Sequence, residues 1–128
     1  MTLSALIVDD EPLARQRIRR FLKEHKDIAS VRECMDGVSA VKAIRSDRPD
    51  LVFLDMHMPE MNGLDLLVEL RGREVDLPAI LITTHPSSEV RRRAALAGVT
   101  LIEKPLLNDT LFLEIRAALD GDAVRKAR

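Results

Sequence analysis

Four short runs in the 128-residue chain are apolar on successive positions instead of alternate ones: ALIV at 5–8, LVFL at 51–54, AILI at 79–82 and VTLI at 99–102. Strands buried on both faces carry such runs, because neither side of the pleat meets water. A less apolar fifth segment, IASVREC at 28–34, predicts one more strand. Between the runs, apolar residues recur with helical spacing: Ala14, Ile18, Phe21 and Leu22; Val41 and Ile44; Leu64, Leu67 and Leu70; Val90 and Ala94; Leu111, Ile115 and Leu119. Each set places one apolar stripe on a helix. Pro12 suits a first helical turn, Pro49 and Pro78 precede strands, Ser87 or Ser88 and Asn108 suit N-caps, and Gly98 suits a helix end. The order βαβαβαβαβα predicts a doubly wound α/β fold. Its sheet is parallel, with helices on both faces and right-handed crossovers.

Length agrees with a single domain, predicted over 1–120 with a loosely held tail over 121–128. Twenty basic and twenty-one acidic residues give a net charge of −1, which lacks the basic excess of a nucleic-acid binder. Tyr and Trp are absent, so base-stacking platforms are not expected. With no membrane-length apolar run, no signal-peptide h-region and the single Cys34, the reading is a cytoplasmic protein without membrane contact or an internal disulfide.

Chemistry gathers where strands end. The first run hands over to Asp9 and Asp10, the third strand to Asp55, the fourth to Thr83 and Thr84, and the fifth to Glu103, Lys104 and Pro105. In a parallel α/β sheet these ends share one edge, where ligands bind. Carboxylates brought that close repel unless a cation relieves them, and Mg²⁺ accepts carboxylates together with phosphate oxygens. A phosphoryl group there would share its charge with the metal, with Lys104 and with the Thr83 hydroxyl. Asp55 could then attack phosphorus and carry an acyl phosphate. Each residue also has a plainer role. A lone Asp after a strand is usually a turn or cap residue, Thr83 and Thr84 are β-formers, and Arg91, Arg92 and Arg93 fan around a solvated helix. Met56, Met58 and Met61 read as loop packing, and Cys34 as a buried small residue.

LIVDDEP, LVFLDMHMPEMNGLDLL, ILITTH and IEKP, in that order, resemble the signature of the response regulator receiver domain of two-component signalling. The resemblance runs from Leu3 to Leu119 and implies a flavodoxin-like sheet of order 2-1-3-4-5, with helices one and five on one face and two to four on the other. Asp55 resembles the phosphoacceptor, and Asp9 and Asp10 the acidic pair. The family pattern implies that Asp10 contacts Mg²⁺ directly and Asp9 through water, with the His57 carbonyl as a further ligand. Thr83 resembles the switch hydroxyl and Lys104 the lysine followed by a cis bond to Pro105. The implied donor is a sensor histidine kinase, a histidine phosphotransfer protein or a small acyl phosphate. The implied output is a protein-binding surface of helix four, strand five and helix five, through which receivers often form homodimers. The chain departs from the family at Leu101, where many receivers carry an aromatic residue, and between Gly98 and Lys104, which is shorter than usual. His57 and His85 flank the expected path of attacking water, which predicts that they tune the lifetime of the phosphoryl group.

Two other classes stay in view. Haloacid-dehalogenase-like phosphatases also pair an Asp nucleophile with Thr, Lys and Mg²⁺, but need a second Asp two positions on, where this chain has His57. A pseudo-receiver would bind a partner without ever being phosphorylated. The receiver reading makes the chain no enzyme toward external substrates, since it promotes only its own phosphorylation and dephosphorylation.

Overall fold

The computed structural model describes residues 2–25, 27–58, 60–72, 77–84 and 86–103. The described elements are β1 (Leu3–Val8), α1 (Pro12–Lys23), β2 (Ile28–Cys34), α2 (Gly37–Ser46), β3 (Leu51–Asp55), α3 (Gly63–Gly72), β4 (Ala79–Thr83), α4 (Ser88–Leu96) and β5 (Thr100–Glu103). The strands form one parallel sheet in the order β2-β1-β3-β4-β5. The predicted last helix, over Leu111, Ile115 and Leu119, lies outside the described residues.

Unbroken apolar runs follow from the packing. Leu6, Val8, Val52, Leu54 and Leu81 face a core layer that holds Ala40 and Ile44 of α2, Leu64, Leu67 and Leu70 of α3, and Ala94 of α4. Their strand neighbours Ala5, Ile7, Phe53, Ile80 and Ile82 face a second layer with Ile18 and Leu22 of α1. Alternate side chains point to opposite faces, and both faces are covered, so every position must be apolar. Burying a Leu, Ile or Phe contributes roughly 1.5–3 kcal/mol, and this sheet collects that gain twice.

Local chemistry sets the helix ends. Pro12 occupies the first turn of α1, whose cap position, Glu11, makes no side-chain cap bond. Ser87 Oγ accepts from Val90 N at 3.1 Å and starts α4. Asp36 Oδ1 accepts from Ser39 N at 2.7 Å and starts α2, and Asn62 Oδ1 does the same for α3 through Asp65 N at 2.7 Å. Hydrogen bonding to Ser39 holds the Asp36 carboxyl below the usual carboxylate range. Gly98 follows α4 at φ 69°, a backbone region in which side chains are strained. Two arginines of α1 tie it to β2: Arg15 Nε and Arg19 Nε lie 3.1 and 2.6 Å from the Glu33 carboxylate oxygens.

The arginine run after Ser88 is only partly a solvated face. Arg91 pairs with Glu103 at 2.7 Å and Arg93 with Asp65 at 3.3 Å, linking α4 to β5 and to α3. Cys34 closes β2 and is half-buried, not fully buried, because β2 is the sheet's edge strand. Even so, burial pushes its thiol upward, against an opposing effect of Arg32.

Candidate functional site

Parallel register brings the strand ends together. Val8 pairs with Leu54, so Asp9 follows β1 beside Asp55, the last residue of β3. Asp55 is opposite Ile82, which places Thr83 one step further along β4. Among the described residues, the buried polar or charged side chains are Asp9, Asp55 and Thr83. All three sit at this carboxyl edge. Burying polar groups costs free energy unless they are partnered, so their concentration at one edge points to work done there.

Asp9, Asp10 and Asp55 each offer one carboxylate oxygen, and these oxygens lie within 4.8 Å of one another. Two local features hold the group. Asp9 Oδ1 accepts from Glu11 N at 2.9 Å, and its carbonyl accepts from Arg15 Nη1 at 2.6 Å, so the β1–α1 turn is clamped from both sides. Asp9 N donates to Cys34 O at 3.1 Å, continuing the β1–β2 ladder past the strand. Three oxygen donors of like charge suit a hard divalent cation of the Mg²⁺ type, whose preferred ligands are carboxylates, carbonyls and water.

Behind Asp55 the chain folds back on itself. Met56 N donates to Ile82 O at 2.8 Å and Gly63 N donates to Met56 O at 3.2 Å. A Cβ on Gly63 would lie 2.5 Å from the Asp55 carbonyl oxygen and 2.9 Å from Leu81 Cδ1. Only glycine fits there, which makes Gly63 a support of the site whose role is not evident from the sequence pattern. Met56 and Met58 are buried beneath the loop, as loop packing requires.

His57 is exposed, yet its Nε2 lies 3.2 Å from Oγ1 of the buried Thr83. Thr84, next along, is exposed. Beside Asp10 a cavity of about 300 Å³ opens between the β2–α2 and β3–α3 turns, lined by Met35, Val38, Glu60 and Met61 among others. The structure thus unites Asp9, Asp10, Asp55, Thr83 and His57 at one edge. His85, Lys104 and Pro105 lie outside the described residues.

The model of the response regulator receiver domain family matches residues 5–116. Response regulator MprA of Mycobacterium tuberculosis is 37% identical over 120 residues, covering 93% of this chain and 51% of that protein. Transcriptional regulatory protein BtsR of Escherichia coli is 48% identical over 65 residues, 51% of this chain and 27% of that protein. The chain therefore spans about half the length, or less, of these relatives. Among solved structures, the receiver domain of NtrX from Brucella abortus superposes with a TM-score of 0.80 at 34% identity, covering 91% of this chain and 98% of that one. The signal receiver domain of a LuxO repressor protein from Vibrio parahaemolyticus reaches a TM-score of 0.87 at 21% identity, covering 99% and 97%, and supports the fold alone. With the sheet order, the carboxylate cluster and the family match in agreement, the chain belongs to the response regulator receiver domains of two-component signal transduction.

Proposed function

We propose that this chain accepts a phosphoryl group on Asp55 and relays the event as a change in a protein-binding surface. The observation that carries the reading is the meeting of Asp9, Asp10 and Asp55 oxygens within 4.8 Å at the strand ends, with Thr83 buried on the next strand. A carboxylate oxygen of Asp55 attacks phosphorus as the bond to the donor, a phosphohistidine nitrogen or an acyl phosphate oxygen, breaks and its electron pair leaves with the donor. Mg²⁺, held by Asp9, Asp10, Asp55 and the His57 carbonyl, would supply charge neutralisation at the phosphoryl oxygens. Thr83 donates its hydroxyl to one of those oxygens. Lys104 would offer a point charge to another. His57 and His85 would set how long the acyl phosphate lasts.

The receiver unit is assigned to residues 1–120, with 121–128 as a tail. Donors are a sensor histidine kinase or a histidine phosphotransfer protein, and the reader is a downstream protein at the face of α4 and β5. That face is also where two copies would pair. No helix among the described residues is long and apolar enough to cross a membrane, which agrees with a cytoplasmic role. The near-neutral charge lacks the basic excess that nucleic-acid contact by this domain would call for.

Incubation with acetyl phosphate and Mg²⁺, followed by intact mass, tests the reading. The wild type gains one acid-labile phosphoryl group and Asp55→Asn gains none. No gain in the wild type would turn the reading to a phosphorylation-independent binding module.

A further inference from the structure

A threonine hydroxyl has one proton to donate. Thr83 is 1% exposed, so its hydroxyl is shut off from bulk water and must find a partner inside the protein. That partner is His57: Nε2 lies 3.2 Å from Thr83 Oγ1, and the ring itself stands at the surface on the segment between β3 and α3. A buried group at the mouth of the site therefore touches an exposed one. On β5, by contrast, Leu101 is aligned with Leu81 and packs into the core layer of α2, α3 and α4.

We infer that His57 is a positioning residue that holds the Thr83 hydroxyl in the unphosphorylated chain. Phosphorylation draws that hydroxyl away, which frees the His57 ring and alters the β3–α3 surface. With Nε2 as the acceptor in the first state, the hydroxyl proton is committed to the ring; in the second it points to a phosphoryl oxygen on Asp55. One proton cannot serve both acceptors, so the two states exclude each other. Only hydrogen bonds are exchanged, and no covalent bond moves. This inference rests on Asp55 as the phosphoacceptor and adds the route by which its occupancy reaches the surface.

The test is a double-mutant cycle read by beryllofluoride binding in the presence of Mg²⁺, followed by amide shifts, on wild type, His57→Ala, Thr83→Val and the double variant. Losing one neutral hydrogen bond that competes with the bound state should tighten binding by about five-fold in His57→Ala. No further change is expected when Thr83→Val is already present. His57→Gln, whose amide oxygen can accept the same proton, should return toward wild type. In metal-free protein, the ring-nitrogen spectrum should show Nε2 of His57 as the unprotonated acceptor, and Thr83→Val should perturb it. Weaker or unchanged binding in His57→Ala, or an equal effect in the Thr83→Val background, overturns the inference. A wild type that binds no beryllofluoride overturns the phosphoacceptor reading itself, while the metal-free spectrum still reports whether His57 and Thr83 are joined.

Discussion

The paired strands β1 and β3 meet aspartate at both ends of their pairing, and the two ends use it in opposite ways. Where the strands begin, Asp50 Oδ2 accepts from Ser4 N at 2.8 Å and from Ser4 Oγ at 3.3 Å, while Asp50 N donates to Ser4 O at 2.9 Å. One carboxylate meets two donors there, and the strand pair is stapled. Where the strands finish, Asp9, Asp10 and Asp55 crowd within 4.8 Å, and two of the three are buried. Like charges at that separation work against the fold. The same residue type therefore staples the sheet at one end and gathers like charge at the other, the pattern expected when local consistency is given up for a site.

The largest expected effect sharpens the contrast at the strained end. Gly63→Val would press a branched side chain onto the Asp55 carbonyl and Leu81, where a single Cβ already comes within 2.5 and 2.9 Å. A loss of about 3 kcal/mol or more is expected in denaturant melts, together with loss of phosphoryl uptake by mass. At the stapled end, Asp50→Ala should cost about 1 kcal/mol by the same melts and leave phosphoryl uptake intact. The smallest effect concerns Asp36, an acid next to the site but in a capping role. Its folded carboxyl titrates below the unfolded value because the Ser39 N–H, and then the Ser39 hydroxyl, bond to the charged form. Its contribution is therefore fully present above the unfolded carboxylate range and is lost as pH falls through the lowered folded value. Asp36→Asn should melt with a shallower decline on acidification below about pH 4 than the wild type.

What could be read in the sequence was whatever has a period or a signature. Unbroken apolar runs located β1, β3 and β4, and the less apolar IASVREC formed β2 over the expected residues. For β5 the strand lies at Thr100–Glu103, one residue later than its apolar run, because Val99 turns inward as α4 ends. Asp9, Asp10 and Asp55 were legible as a cluster because a parallel sheet gathers its strand ends whatever lies between them. Contacts that depend on how loops travel were not. Neither the reach of Arg15 and Arg19 to Glu33 nor the fit of Gly63 against Asp55 follows from spacing. His57 was expected beside a path for water, whereas its hydrogen bond to Thr83 depends on the course of the β3–α3 segment. The caps divide the same way: the pair Ser87 and Ser88 announces α4, with Ser87 the one that caps it, while Asp36 and Asn62 are hidden among other polar residues.

Thermal melts of wild type, Asp10→Ala and Asp50→Ala, each with and without Mg²⁺, test the opposed roles of the two ends most directly. Mg²⁺ bound only to the native state should raise the wild-type Tm, by the equivalent of about 2.7 kcal/mol at one hundred times the dissociation constant. Asp50→Ala should melt lower than wild type and keep that response. Asp10→Ala should melt no lower than wild type without metal, since it relieves repulsion, and should lose most of the response. If Asp10→Ala instead melts clearly lower without metal and still gains from Mg²⁺ as the wild type does, the carboxylate cluster is structural and the account of the site is wrong.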